Sequence, residues 1–448
     1  MLLHDGARAL SVVEHNGIRI DESRLKEAKQ QAMNQLKEIE SKMKKSNIYK
    51  QIVKRYGTSS NIGSRDQLSK ILSTCYHIAL PQTETNRFKL DESVLESIKS
   101  DDQEVSEYLE LFSTRNRLEK LISTYLMGFE REIVDGYIHP VFNLHLVKTY
   151  RSSSESPNLQ NIPTRMPEIA KLIRSSIVPR ENHVLVEIDY SALEFRVAAC
   201  VWNDPNMIEY ASNPEKDVHR DFASRLYLVK PSEVNKQIRN CGKSLFVFPQ
   251  LYGDYYINCA RNLWEAIDKY DLTVNGLSMK QHLANNDIEE LGSDALPFTF
   301  TGHVKSVEDE FYHMFNVLSE RQQRLWNEYK QTGYVKLITG FIVRGVYKKT
   351  FILNCVIQGP AFHLLLWSLT ELVKWTISNK MKTKIIGEVH DSILADVHKD
   401  ELDLYIDKAI DVMTKKIKQR FDWIVTPMNV EVEICETNWY DKKPYRKG

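Results

Sequence analysis

The stretch "VLVEIDYSALEFRVAA" (Val184–Ala199) decides the fold. Val184, Val186 and Ile188 alternate with other residues, which is the period of a β-strand. The strand pattern stops at Asp189. Ser191 follows, then a helix-like run with Glu194 three residues after the serine. A carboxylate at that point is either a cap or turn residue, or a group pointing into a site that holds a metal ion. The stretch alone leaves both readings open.

The rest of the chain narrows the choice. Its 448 residues suffice for two to four domain-sized units. Apolar residues make up 42% and charged residues 27%, and the formal net charge is zero. No global basic field advertises nucleic acid, so any nucleic-acid contact must come from local patches. Six scattered cysteines form no CxxC pair, which points to a reducing compartment and no structural zinc. "MLLHDGARAL" (1–10) lacks the apolar core of a signal peptide, and "AFHLLLWSL" (361–369) is too short to span a bilayer.

From about Glu22 to Tyr125 the pattern is helical, and "LKEIESKMKKSNIYKQIVKRYG" (36–57) is markedly basic. It is either a solvated helix face or a surface that follows a phosphate backbone. "TYRSSSESPNLQNIPTR" (149–165) is a polar loop carrying Arg151, Asn158, Gln160, Asn161 and Arg165. Those donors suit phosphates and base edges, or simply line a surface loop. "KTFILNCVIQGPAFHLLLWSLTELVKWTI" (349–377) reads as a long buried helix. "TKIIGEVHDSILADV" (383–397) reads as a hairpin with His390-Asp391 at its tip. "MNVEVEI" (428–434) is a last strand.

Asp189 and Asp391 on neighbouring strand ends of one sheet would suit a pair of Mg²⁺ ions, which prefer hard oxygen ligands. In "QIRNCGKSLFVFPQLYGDYY" (237–256), Arg239 and Lys243 are four residues apart and share a helical face. Two cations on one face suit a triphosphate. Leu245, Phe246, Val247 and Phe248 follow, then Tyr252-Gly253, so aromatic rings lie close enough to stack a base. His219 in "KDVHRDFA" is a further cation candidate.

"DYSALEFR" (189–196), the Arg239-to-Asp254 run ending in "YGD", and "VHDS" (389–392) resemble motifs A, B and C of family A DNA polymerases, in the family's order and at similar spacing. "SPNLQNIP" (156–163), "NCVIQGPAFH" (354–363), the terminal "TNW" (437–439) and the opening "ALSVVEHNGIRID" (9–21) resemble further signatures of the family. The resemblance covers nearly the whole chain. The variants "FVFPQLYGDYY" and "IQGPAFHLLLWS" look closest to bacteriophage-type members.

The resemblance implies an α+β, right-hand fold. It has a palm lead-in (1–24), a helical thumb (25–138), an antiparallel-sheet palm (139–195 and 351–448) and helical fingers (196–350). It implies two Mg²⁺ ions, with Mn²⁺ as a substitute, held by Asp189, Asp391 and the backbone carbonyl of Tyr190. Arg239, Lys243 and His219 would grip the incoming dNTP, and Lys243 would protonate the departing pyrophosphate. Glu194 would be the steric gate against a 2′-OH. Tyr252 would back the template base or nascent pair. Phe248, rather than Val247, would take the aromatic position beside the sugar. Arg151, Asn158, Gln160, Asn354 and Gln358 would track the primer–template, with His390 near the primer terminus.

Three departures stand out. The family's carboxylate after His-Asp is Ser392 here. Lys243 to Tyr252 is one residue longer than expected, with Pro249 inside, so a π-type bulge is expected near the proline. The family's proofreading domain would precede residue 1, so no 3′→5′ exonuclease is expected from these residues. A separate exonuclease, helicase or processivity factor would then be the partner, and the protein is expected to be a cytoplasmic monomer without a membrane partner. The segment between Tyr256 and Phe311 is longer than usual and has no assigned role. The rivals are a single-subunit RNA polymerase, a non-catalytic nucleic-acid-binding protein and a metal-dependent nuclease. Glu194 argues against the first, the retained aspartates and helix cations against the second, and the Arg239/Lys243 grip, which a nuclease would leave unexplained, against the third.

Overall fold

The computed structural model describes residues 2–82, 88–98, 100, 102–162 and 167–447. Arg165 of the polar loop lies outside the described residues.

Helix α1 (Leu2–Asn16) buries Ala9, Leu10 and Val13 against the centre of the molecule. Helix α2 (Glu22–Lys45) starts where the Asp21 side chain accepts from the backbone N–H groups of Ser23 and Arg24. It pairs with α3 (Gln103–Lys120). Leu25, Ala28 and Ala32 face the main core, while Met43 joins Ile48, Ile52, Leu68, Leu72, Tyr108 and Phe112 in a second cluster. The basic 36–57 segment thus sits on helices that keep a core of their own. The helical reading of 22–125 fails at 76–82 and 88–91. These residues are extended or irregular, with an isolated bridge between Gln82 and Phe88.

Helices α4 (Leu193–Trp202), α5 (Val218–Leu226) and α6 (Lys236–Gly242) follow. The last is continued by a π turn over Lys243–Val247 and a helical turn over Phe248–Leu251. The Phe248 N–H donates to the carbonyl of Lys243, five residues back, so the extra residue before Tyr252 is absorbed as expected. Helix α7 (Lys349–Ser378) is 30 residues long. By length and composition it is long and apolar enough to cross a membrane, which corrects the reading from 361–369 alone. It is a core helix: 19 of its residues, including Leu364, Leu365 and Leu369, are buried. Gly359 lets the helix approach Thr149, whose carbonyl oxygen would lie 2.8 Å from any Cβ there.

A five-stranded antiparallel sheet lies beneath. Its strands are β1 (His183–Tyr190), β2 (Lys384–Val389), β3 (Ser392–His398), β4 (Val430–Cys435) and β5 (Lys443–Pro444), in the order β2-β3-β1-β4-β5. β1 is central and mostly apolar, and Val184, Leu185, Val186, Ile188 and Tyr190 are buried. The β2–β3 hairpin turns at His390-Asp391. Register places Ser392 of β3 and Glu431 of β4 on either side of Asp189. The aspartates of "EIDY" and "VHDS" therefore meet at one end of one sheet.

Candidate active site

Asp189 is not a cap. β1 runs through it to Tyr190, and the residue that starts α4 is Ala192, in the left-handed conformation with no side-chain cap. The backbone N–H of Tyr190 donates to the carbonyl of Asp391 (3.2 Å), which pins the hairpin tip to the end of β1. Asp189 is exposed at the end of β1, yet the protein packed around its carboxyl, then the charges of Asp391, Glu187 and Glu431, push it up to about 7. Burial, then Glu194, pushes Asp391 up to about 6, against the pull of Arg151 and Lys243. Crowded acids whose ionisation is mutually opposed are what a divalent cation relieves. Among the described residues no three His, Cys, Asp or Glu side chains converge as a ready cage. Mg²⁺ would take one or two carboxylates and complete its shell with waters and substrate phosphates.

Facing the aspartates is the cationic wall. Lys243 opens the π turn, with its ammonium 5.3 Å from the Phe248 ring centroid. No carboxylate lies within ion-pair distance of it among the described residues, and it pulls electrostatically on both aspartates. Arg239 is engaged by Asp217, which the sequence reading had missed: Nε to Oδ2 is 2.6 Å and Nη2 to Oδ1 3.2 Å. Asp217 also caps α5 through the N–H groups of His219 and Arg220. His219 is corrected as a cation. Burial first, then Lys243 and Arg239, push its pKa down to about 3, so the imidazole is neutral. Both ring nitrogens are buried without a partner, an unmet hydrogen-bonding capacity aimed at the same wall. Its ring meets Phe248 edge-on at 5.5 Å. Phe248 is half-buried, whereas Val247 and Phe246 are fully buried in the core. Of the three, only Phe248 borders the cleft.

Glu194, in the first turn of α4, is 6% exposed. Its two oxygens are held by the guanidinium of Arg151 and the hydroxyl of Tyr252 in short hydrogen bonds. Burial and the charge of Glu194 hold the Tyr252 hydroxyl well above its usual range, so it stays a donor. Gln358 of α7 lies beside that hydroxyl and offsets part of the rise. Asn354, one turn earlier on α7, has a buried side-chain oxygen without a partner. Arg151, Glu194, Tyr252 and Gln358 are thus one network beside Asp391.

The remaining residues of the polar loop behave differently. The Asn158 oxygen accepts from the N–H of Asn161 and closes a turn, so that side chain is partly spent on local structure. The Gln160 amide donates to Ser152 Oγ (2.8 Å) and Glu388 Oε1 (2.7 Å). His390 stands exposed at the hairpin tip with φ +59°. Glu388, two residues before it, is buried, and its second oxygen has no partner. Burial pushes it up to about 7. A carboxyl raised in the folded state binds its proton more tightly than the unfolded chain does, so stability falls as pH rises through that window. Glu388→Gln is therefore expected to melt higher than wild type. The gap should widen from pH 5 to pH 7, and thermal melting at the two values reads it.

Sequence reasoning also passed over a charge asymmetry. Between Glu328 and Glu371 there is no carboxylate, but there are five cations: Lys330, Lys336, Arg344, Lys348 and Lys349. Two short strands, Tyr334–Lys336 and Ile342–Arg344, pair into a hairpin within this stretch. Tyr150, next to Arg151, donates from its hydroxyl to the carbonyl of Ile342. Lys349 reaches to 3.6 Å of where a Cβ on Gly253 would sit. The basic strip therefore adjoins the Tyr252 side of the cleft.

The sequence pattern of DNA polymerase family A matches residues 25–269. The chain is 26% identical over 449 aligned residues to DNA polymerase I of Bacillus caldotenax, covering 97% of this chain and 45% of that protein. It is 32% identical over 251 residues to the thermostable DNA polymerase I of Thermus thermophilus, covering 55% of this chain and 28% of that one. Its fold matches the POL domain of Pol1 from M. smegmatis, a structure in complex with DNA primer-template and dNTP. The TM-score is 0.75 at 21% identity, over 97% of this chain and 70% of that one. With a central antiparallel sheet, helices around it and the matched sequence pattern, the chain has the α+β fold of a nucleotide polymerase. It belongs to DNA polymerase family A. It spans about half the length, or less, of these curated relatives.

Proposed function

We propose that the chain is a DNA-templated DNA polymerase that extends a primer 3′-OH with dNTPs. The observation that carries this is the meeting of two crowded aspartates, a cationic wall and a buried sugar-side glutamate in one cleft. The relatives' printed names and the DNA and dNTP of the M. smegmatis complex support it. In this reading the sheet is the palm, the helices of 196–350 are the fingers and those of 25–138 the thumb.

Asp189 and Asp391, with the backbone of Tyr190, hold the divalent site. Mg²⁺, or Mn²⁺ in its place, would if bound there supply charge stabilisation to the phosphoryl transfer. Arg239, preset by Asp217, offers its remaining guanidinium N–H groups to the triphosphate. Lys243 meets the phosphates as an unpaired ammonium and gives the leaving pyrophosphate its proton. Neutral His219 donates one N–H to a phosphate oxygen. Phe248 lies along the sugar. Glu194 fills the space under the sugar's 2′ position, held there by Arg151 and Tyr252, while Tyr252 backs the nascent pair. Closure of the fingers over a matched base commits the substrate.

Single-nucleotide incorporation tests the reading. Each dNTP is offered alone opposite each template base, and only the complementary one should extend the primer. Indiscriminate addition, or none, would count against it. The same preparation without dNTPs checks the expectation that these residues do not shorten a labelled 3′ end. The proposed bacteriophage affinity rests on the variants "FVFPQLYGDYY" and "IQGPAFHLLLWS", and the proposed cytoplasmic location on the scattered cysteines.

The basic strip enters as a phosphate-binding lip. Lys348→Ala/Lys349→Ala is expected to weaken primer–template binding and to flatten the plot of log affinity against log salt by about 1.8, roughly 0.9 for each phosphate that is no longer neutralised. Base discrimination should not change. An unaltered salt slope would remove the strip from the DNA path.

A further inference from the structure

Glu187 lies two residues before Asp189 on β1, and so on the same face of the sheet. Register puts Ser392 and Glu431 on that face beside Asp189, with Leu394 and Glu433 beside Glu187. The Glu187 side chain is only 11% exposed. Its Oε1 accepts from the hydroxyl of Ser392 (3.2 Å). Its Oε2 accepts from the indole N–H of Trp439 (2.7 Å) and pairs with the ammonium of Lys442, which also reaches Glu433 at 3.3 Å. Trp439 is fully buried and Ser392 is 2% exposed. An ionised carboxylate in the middle of a central strand, covered by an indole, is a poor device for stability, since an apolar residue would serve as well. Its placement is specific: one oxygen reaches the residue that directly follows Asp391, and the backbone is that of Asp189.

We propose that Glu187 is a positioning residue of the divalent-cation site, tying the turn that carries Asp391 to the strand that carries Asp189 through the Ser392 hydroxyl. Trp439 and Lys442 hold the other oxygen, so the carboxylate is fixed from beneath by the C-terminal segment. Ser392 has a second acceptor, the carbonyl of Val389 at 3.0 Å. Without Glu187 its hydroxyl turns to that carbonyl alone, and the side-chain tie across the strands is lost, leaving only the backbone ladder and the Tyr190 N–H bond to Asp391. The position also predicts an exchange. A carboxylate on residue 392 would stand opposite Asp189 on the same face, in the space Glu187 now serves, so the two acids are alternatives. The inference rests on the polymerase reading only in taking Asp189 and Asp391 to be the cation site.

The test is Mn²⁺ binding to the full chain without DNA, read by electron paramagnetic resonance of the free ion, with thermal melting alongside. Asp189→Ala identifies the site. Glu187→Gln is expected to weaken Mn²⁺ binding about 10- to 100-fold, as loss of an outer partner does. Glu187→Ser/Ser392→Glu should recover binding to within a few-fold of wild type, whereas Ser392→Glu alone should not improve it. Lys442→Met removes the clamp but keeps the acid, and should lower the melting temperature more than it weakens the ion. Glu187→Gln binding like wild type while Asp189→Ala does not would overturn the inference and leave the polymerase reading standing. Equal weakening in Glu187→Gln and Lys442→Met, with no recovery in the double variant, would reduce Glu187 to a structural clamp and also overturn it. A wild type whose Mn²⁺ binding is untouched by Asp189→Ala would overturn both.

Discussion

Asp391→Asn and Asp189→Asn are each expected to lower primer extension by roughly 10³-fold or more, because each removes several kcal/mol of charge stabilisation at the reacting phosphate. The side chains sit at one end of one sheet, joined by the Tyr190 N–H to Asp391 carbonyl bond, and the backbone of either variant can keep that join. The loss should therefore fall on turnover rather than on primer–template binding. Stability should move the other way. Both carboxyls are raised, Asp189 to about 7 by burial and by neighbouring acids, and Asp391 to about 6 by burial and Glu194. Ionising them costs the folded state, and that cost grows as pH rises through the interval between the ordinary aspartate value and these raised ones. Without divalent cations, Asp391→Asn should melt at or above the wild-type temperature at neutral pH, and Asp189→Asn, whose carboxyl is exposed and screened by solvent, should melt close to it. A variant that loses activity and melts far lower would mean the aspartate is structural.

Glu194→Ala is expected to narrow the preference for dNTP over rNTP by roughly 10²-fold, the scale on which a filled pocket rejects one extra group. The glutamate is buried and its oxygens are taken by Arg151 and Tyr252, so it cannot swing away from an incoming 2′-OH without breaking both bonds. Removal opens the space. It also leaves the Arg151 guanidinium without its carboxylate and frees the Tyr252 hydroxyl, so dNTP turnover should fall as well, by about tenfold. Glu194→Gln keeps the volume and should keep the discrimination while losing part of the turnover. Steady-state incorporation of each sugar by the two variants separates volume from charge. Equal sugar preference in Glu194→Ala and wild type would move the gate elsewhere.

The sheet and its site were legible where local pattern and chemistry coincide. Alternation marked β1, the apolar flanks of His390-Asp391 marked the hairpin, and an uninterrupted apolar run marked α7. Even the π turn at Lys243–Val247 was readable, because a proline and one surplus residue leave a regular helix no way to close. What was missed depends on partners distant in sequence. Asp217 reads as an ordinary helix cap until Arg239 is seen on it, 22 residues on. Glu388 and Glu187 read as the charged positions of alternating strands, yet their partners lie 228 and 252 residues away, at Gln160 and Trp439. His219 was read as a cation because its own stretch shows only that it can carry charge. Burial, then Lys243 and Arg239, which are distant in sequence, push its pKa down. The cationic strip escaped notice for the opposite reason: its signal is an absence of acids across 42 residues, from Tyr329 to Thr370, rather than a cluster.

The central claim is tested most directly by extension of a labelled primer on a DNA template. The purified chain is given Mg²⁺ and either dNTPs or rNTPs, beside Asp189→Ala and Asp391→Ala. Extension with dNTPs alone, lost in both variants, is the predicted result. Extension by either variant at the wild-type rate, or efficient extension with rNTPs, would contradict it.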